Sequence, residues 1–235
     1  MKAVILAAGK GKRLRPITQD IPKAMVEVGG KPLLERIILQ LKGKGFKEFV
    51  VVVGYKKEIV EHHFKDGSSF GVHIQFVAQK ELLGTGHALL EAEQYLKDEK
   101  EFLLVFADTF FDESAIDNII KAPTPGVIGV TQVDDPRAYG VVELDDRCLV
   151  KNVVEKPEVP SSNLVVTGLY KLPHKIFDAL KKIPLSPRGE YELPHAVMLL
   201  IKEGVEFCIV KMSLGKDIAS AANLEEARSI AKGRH

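Results

Sequence analysis

A run of small and basic residues near the start of the chain has the make-up of an anion site. Leu6-Ala7-Ala8-Gly9-Lys10-Gly11-Lys12-Arg13-Leu14-Arg15-Pro16 follows an apolar stretch, and Lys10, Lys12, Arg13, Arg15 and Lys23 fall within fourteen positions. Gly9 and Gly11 permit close backbone approach, so amide N–H groups can face phosphate oxygens. Arg13 adds a planar, permanently charged fork suited to phosphate. A solvated basic loop is the plainer alternative. Two familiar fingerprints fail here. A dinucleotide-binding loop wants a third glycine where Leu14 stands, and no Gly-Lys-Ser/Thr triplet follows at P-loop spacing.

Two aspartates could complement this loop. Asp108 directly follows the apolar run 102–107, where a strand end would present it to a cleft, and Asp217 lies far downstream after the last apolar run. Only a fold could bring them together; a strand-end cap and a helix N-cap are their structural alternatives. Glu155 and Lys156 stand side by side before Pro157 and could be an ordinary exposed ion pair. The seven histidines show no metal-ligand spacing: His62 and His63 sit on an expected helix, and His87 follows Gly-Thr-Gly. Solvated or capping roles are expected for them. Phe110 and Phe111 could wall a cleft or fill a core. Cys148 and Cys208 cannot build a disulfide framework or a four-thiolate zinc site. Both fall in apolar, strand-like runs, so buried inert thiols and a reducing cytoplasm are expected.

These residues need a scaffold, and the composition bounds it. The chain has 235 residues, 33 Lys+Arg against 32 Asp+Glu, and 46% hydrophobic content. Near-neutral charge leaves no global basic field, so nucleic acid is not an expected partner. The hydrophobic and charged fractions are those of a globular chain, with a core large enough to stand without staples. The apolar opening is far short of the roughly 20 residues a spanning helix needs. No signal peptide is expected either, because Gly-Lys-Gly-Lys-Arg follows it. A cytoplasmic protein without a membrane partner is the expectation.

The hydrophobic pattern alternates between two periods in the first half. Residues 3–8, 49–53, 72–77 and 102–107 read as buried strands; 33–41, 56–64 and 85–96 read as helices. That alternation calls for a parallel sheet with right-handed crossovers. From about residue 125 the texture changes. Strand-like runs at 127–132, 140–145, 149–155 and 164–172 suggest a β-rich insertion, two of them joined by Asp145-Asp146-Arg147. Helical pattern returns at 175–181 and 190–203, followed by a strand at 206–212 and a terminal helix from about Asn223.

At this point the motifs resemble a known family. Leu-Ala-Ala-Gly-x-Gly-x-Arg-Leu-x-Pro-x-Thr over residues 6–18, with Pro22-Lys23, is similar to the signature of sugar-1-phosphate nucleotidylyltransferases. Later motifs follow in family order: Gln79 with Leu83-Gly84-Thr85, Asp108, Tyr139-Gly140-Val141-Val142, Val154-Glu155-Lys156-Pro157, Ser162-Asn163 through Tyr170, Arg188-Gly189-Glu190, and Asp217. The resemblance is strongest to the thymidylyl- and uridylyltransferases that act on glucose 1-phosphate. It implies a Rossmann-like α/β fold, a mixed but mainly parallel sheet flanked by helices with a β-rich sugar-binding lobe. Residues 1–235 would form one nucleotidyltransferase domain: a nucleotide-binding core at 1–125, a sugar-side insertion at 126–172, and a return to the core at 173–235.

The implied reaction is attack by a sugar 1-phosphate on the α-phosphorus of UTP or dTTP, releasing pyrophosphate and leaving a nucleotide-sugar. Two anions must meet, so the site has to supply positive charge and in-line geometry. By resemblance, Asp108 and Asp217 hold Mg²⁺, while Arg13, Lys23 and Asp108 form the catalytic set. Leu6, Ala8, Gly9, Gly11, Arg13, Lys23, Gln79, Gly84 and Thr85 would bind the nucleotide. Gln79 reads the pyrimidine edge, where a carboxamide matches the O and N–H pattern shared by uracil and thymine. Gly140, Glu155, Lys156, Asn163, Val166 and Tyr170 would bind the sugar phosphate.

The chain departs from the family near its end. Gly215 stands where a Trp is usual, Ala219-Ser220-Ala221 replaces Gly-Thr-Pro, and Pro194-His195 replaces Thr-Asp. The chain stops one helix past Asp217, so the left-handed β-helix of acetyltransferase-fused relatives is not expected. A non-catalytic nucleotide-sugar-binding regulatory subunit of the same fold is the alternative reading. A cytidylyl- or guanylyltransferase is a weaker one, opposed by Gln79 with Leu83-Gly84-Thr85. The identity of the sugar, UTP against dTTP, and homo-oligomer formation are left open.

Overall fold

Continuous apolar runs become the central strands of the computed structural model, which describes residues 1–111, 113–212, 216–217 and 221–232. In chain order the elements are β1 (Ala3–Ala7), β2 (Glu27–Val28), β3 (Lys31–Pro32), α1 (Leu33–Gly43), β4 (Glu48–Val53), α2 (Lys57–Phe64), β5 (His73–Ala78), α3 (Thr85–Leu90), β6 (Glu101–Phe106) and β7 (Thr109–Phe110). They continue through α4 (Glu113–Lys121), β8 (Gly126–Gln132), β9 (Gly140–Leu144), β10 (Val150–Glu155), β11 (Leu164–Pro173), α5 (Ile176–Leu180), α6 (Leu193–Lys202), β12 (Phe207–Lys211), β13 (Lys216–Asp217) and α7 (Ala221–Lys232).

The main sheet runs β10-β9-β11-β6-β1-β4-β5, with β8 against β11 and β12 against β8. β1 lies parallel between β4 and β6, with Ile5 opposite Val51 and Val105. β11 runs antiparallel to β6, which makes the sheet mixed. Strand alternation divides the core into two layers. Val4, Val50, Val52 and Leu104 face Leu89 of α3, Phe177 of α5 and Leu193 and Leu200 of α6. Ile5, Val51, Val53 and Val105 face Leu34, Ile38 and Leu41 of α1, Phe64 of α2 and Ile116 of α4. Helices on both faces are what bury such parallel strands.

The expected β-rich insertion is continuous with this sheet. β11 shifts register between Val166 and Tyr170; beyond the shift it pairs with β6, and before it Val165 pairs with Val141 of β9. One long strand therefore joins the β1–β6 layer to the β9–β10 hairpin. The carboxyl ends of β1 and β6 and the loop after β5 open on one side, where ligands of α/β sheets bind.

Three expectations need correction. The helix expected over 190–203 begins only at Leu193, because the backbone before it is committed elsewhere: Tyr191 N–H donates to Leu83 O at 2.7 Å and Tyr191 O accepts from Gly86 N–H at 2.8 Å. Pro194 then sits in the first helical turn, where its missing N–H costs nothing. The helix expected over 85–96 ends at Leu90 and continues as a single 3-10 turn, Glu93–Tyr95, which lets Ala92 and Leu96 bury. Cys148 is exposed, not buried, and lies in a turn with φ 60°. That turn is held by Asp145, whose Oδ1 accepts from the N–H groups of Arg147 and Leu149, each at 2.9 Å. Cys208 is partly buried on β12 and receives the Thr124 hydroxyl at 3.0 Å. Phe111 is fully buried and fills the core. Among the described residues no helix is long and apolar enough to cross a membrane.

Candidate active site

A cleft of about 500 Å³ opens at the carboxyl ends of β1 and β6. Asp108 follows β6 on one flank of β1 and Gln79 follows β5 on the other; both line the cleft, together with Leu6, Ala8, Gly9, Gly11, Lys23, Gly84 and Thr85. Arg13 rides on the exposed 3-10 turn Lys12–Leu14 that closes the loop. All the sequence-expected nucleotide residues except Arg13 line this cleft.

Local chemistry shapes each wall. The β1 loop is pinned by buried Thr18, whose hydroxyl donates to Gly11 O at 2.7 Å. Gly11 has φ 60°, and an added Cβ would sit 3.0 Å from Thr18 Cγ2 and 3.1 Å from Lys23 Cβ. At Gly9 an added Cβ would meet nothing within 4 Å, so this stretch of backbone faces open space. Lys23 opens the 3-10 turn Lys23–Met25 after Pro22, and its Nζ pairs with Asp108 Oδ2. Both side chains are largely shielded, 14% and 27% exposed, so the pair is less screened than a surface bridge. Opposite, Gln79 is 5% exposed and its Nε2 donates to Gly84 O at 3.1 Å.

The region expected to bind sugar phosphate assembles beside this cleft. Gly140 pairs with Glu155 across the β9–β10 ladder, and a Cβ at Gly140 would meet Val166 Cγ2 at 2.9 Å and Glu155 Oε2 at 3.1 Å. Gly140, Glu155 and Val166 therefore share one corner. Lys156 takes φ 47°, donates its N–H to Tyr139 O at 2.9 Å, and holds Nζ 3.5 Å from Glu155 Oε1. Asn163 lies on an exposed stretch, its carbonyl accepting from Val133 N–H at 3.1 Å. Tyr170 is buried at 2% exposure, its ring 5.9 Å from that of cleft-lining Phe106. Burial, and then the charge of Glu155, push its phenol pKa well above the ordinary range.

Two site residues escaped the sequence reading. Arg188 Nη2 lies 3.1 Å from Glu192 Oε1 and 3.6 Å from both Glu155 Oε1 and Glu190 Oε2. Since Glu190 lines the same cleft as Gln79, Arg188 ties that cleft to the Glu155 corner. Its signal was the Arg-Gly-Glu motif itself, which carried no role. His87 is the second: its Nδ1 lies 3.1 Å from Gln79 Nε2, a contact that no helical spacing announces.

For a divalent ion the donors are few. Among the described residues no group of three or more His, Cys, Asp or Glu side chains could hold a metal. However, β13 pairs antiparallel with β7 so that Asp217 is opposite Thr109, the residue next to Asp108. The side chain of Asp217 lies outside the described residues. Two neighbouring aspartate positions at this cleft fit Mg²⁺, which takes one or two carboxylates and completes its shell with other oxygens and water.

The chain is similar to known proteins in sequence and in fold. The family model described as nucleotidyl transferase matches residues 2–230. The UTP–glucose-1-phosphate uridylyltransferase AglF of Haloferax volcanii is 43% identical over 209 residues, covering 87% of this chain and 85% of its own. The bifunctional protein GlmU of Methanococcus aeolicus is 41% identical over 203 residues, covering 86% of this chain but only 47% of its own; the chain thus spans about half the length of relatives of that kind. A Bacillus anthracis structure assigned as a glucose-1-phosphate thymidylyltransferase, solved with sucrose, superposes with a TM-score of 0.87 at 27% identity, covering 99% of this chain and 95% of that one. The fold of UDP-glucose pyrophosphorylase with UDP-glucose matches at a TM-score of 0.86 and 24% identity, over 100% and 99% of the two chains. On this evidence the chain belongs to the nucleotidyl transferase family.

Proposed function

We propose that the chain transfers a nucleotidyl group from UTP or dTTP to a hexose 1-phosphate, with glucose 1-phosphate as the first candidate, and releases pyrophosphate. The observation that carries this reading is the shared cleft: the glycine-rich loop and Lys23–Asp108 lie across from Gln79. A triphosphate laid along it would set its base on Gln79 and its phosphates on the loop. The sugar phosphate would approach from the Glu155 and Lys156 side, where Glu155 accepts from sugar hydroxyls and Lys156 and Arg188 offer cations to the phosphate. A sugar-phosphate oxygen then attacks the α-phosphorus, the bond to the β-phosphate oxygen breaks, and pyrophosphate carries the electron pair away.

No protein nucleophile is needed, because the sugar phosphate is already an anion; positioning and charge are the protein's work. Lys23 and Arg13 would stabilise charge on the transferring phosphoryl group and on the leaving pyrophosphate. Asp108 and Asp217 would hold Mg²⁺, which supplies charge neutralisation and a template for the phosphates. Residues 1–235 would act as one unit, because Arg188 and the 190–192 segment touch both sides of the site.

The test is a panel of four nucleoside triphosphates against several sugar 1-phosphates with Mg²⁺, read as pyrophosphate release. Turnover with UTP or dTTP and a hexose 1-phosphate is expected. Tight nucleotide-sugar binding without turnover on any pair would instead favour a regulatory subunit.

A further inference from the structure

The side chain at the base-reading position is oriented by a neighbour. Gln79 Nε2 lies 3.1 Å from Gly84 O and 3.1 Å from His87 Nδ1. A carbonyl oxygen can only accept, so the contact with Gly84 fixes the nitrogen end of the carboxamide there. An NH₂ group has two protons. One is spent on Gly84 O, and the other points to His87 Nδ1, which must then be the unprotonated ring nitrogen. His87 Nε2 carries the proton in that tautomer and lies 3.6 Å from Oε1 of Glu91, the residue that caps the end of α3. The carboxylate favours an N–H at that nitrogen, as an acidic neighbour does for an imidazole tautomer. The ring is braced by Tyr191, with centroids 6.4 Å apart and planes 25° from parallel.

Both amide protons are thereby consumed within the protein. What Gln79 has left for the cleft it lines is Oε1, which has no partner among the described residues. An acceptor at this place suits the N3–H of uracil or thymine and opposes the N3 lone pair of cytosine. We infer that His87 is a positioning residue that locks the Gln79 carboxamide, by accepting from its Nε2, so that the site presents an acceptor and selects a base with an N–H at N3. This rests on the reading that Gln79 meets the base. It adds that selectivity resides in the pair, since an amide free to turn would offer either end. With Gln79 only 5% exposed, a turned amide would set Oε1 against Gly84 O, so the lock is enforced from two sides.

Calorimetric titration of the full chain with UTP and with CTP tests this without requiring turnover. His87→Phe and His87→Leu remove the acceptor and keep the packing; His87→Asn places Oδ1 near the position of Nδ1. The UTP-over-CTP preference is expected to fall about tenfold in either apolar variant, the scale of one hydrogen-bonding preference, and to return in His87→Asn. If the apolar variants keep the wild-type preference while Gln79→Ala erases it, His87 does not orient the amide. A preference that is lost in the apolar variants and stays lost in His87→Asn assigns the effect to packing and likewise overturns the role. A preference that survives Gln79→Ala, or is absent from the wild type, removes the base-reading assignment and the inference with it.

Discussion

Gly84→Ala perturbs the joint between the two halves of the site. Gly84 has φ 98° and ψ 178°, a backbone region open essentially to glycine alone. Forcing an alanine there costs about 1–3 kcal/mol from the backbone. The new Cβ would also lie 2.8 Å from Tyr191 O and 2.8 Å from Glu190 Cβ. The oxygen belongs to backbone and cannot swing aside, so the 190–192 segment must move. Moving it strains the bonds Tyr191 N–H to Leu83 O and Gly86 N–H to Tyr191 O, each worth about 1 kcal/mol net. Together these amount to roughly 3–5 kcal/mol if the native geometry is kept. At roughly 2–4 °C per kcal/mol for a chain of this size, Tm should drop by about 6–20 °C. If the loop instead opens locally, Tm is spared and the cost appears in binding, where every ~1.4 kcal/mol is tenfold. Thermal unfolding and UTP calorimetry on the same sample therefore read the two outlets together. Gly189→Ala is the control, since it has φ 75° but nothing within 4 Å of its added Cβ. A Gly84→Ala chain with wild-type Tm and wild-type UTP affinity would refute the joint.

Other perturbations separate binding, charge and stability. Gly9→Ala should leave Tm unchanged, because its Cβ meets nothing within 4 Å, yet weaken triphosphate binding by crowding the phosphate path; calorimetry of UTP checks it. Lys23→Met should lower kcat by about 10²–10³ while the protein stays folded, as removal of a charge-stabilising donor does; steady-state pyrophosphate release reads it. Thr18→Val removes the hydroxyl that donates to Gly11 O, an oxygen that keeps the Leu14 N–H, and should cost about 1 kcal/mol, visible in denaturant unfolding. Tyr170 gives a pH signature. Its folded pKa is raised by burial, so above about pH 10 the unfolded chain loses a proton that the folded one keeps, and stability falls as pH rises. Denaturant midpoints at pH 9 and 11 should show a smaller loss in Tyr170→Phe than in wild type.

Much of the fold was legible because its signals are local. Short continuous apolar runs bounded by turn residues, such as that of β1, read as strands covered on both faces, and Leu33, Leu34, Ile37, Ile38 and Leu41 repeat at helical spacing on α1. What was missed depends on tertiary partners. Residues 190–192 have helical pattern, but Leu83 and Gly86 claim their backbone groups first. Cys148 precedes the apolar Leu149-Val150 in sequence, yet the Asp145 turn carries it outward. In the site, the loop, Lys23, Gln79 and Asp108 could be read from ordered motifs. Arg188 and His87 gained roles only when distant segments met, since no spacing links Arg188 to Glu155 or His87 to the amide of Gln79. Asp217 is an intermediate case: nothing in its spacing joins it to Asp108, but the β13–β7 register brings the two positions together.

The most direct measurement is pyrophosphate release from UTP or dTTP with glucose 1-phosphate, titrated with Mg²⁺, in wild type and Asp108→Asn. Release should require the ion, stop on chelation, and be nearly abolished in Asp108→Asn at unchanged Tm. Turnover close to wild type in Asp108→Asn, or undiminished after chelation, would contradict a carboxylate-held cation acting with Lys23 at this cleft.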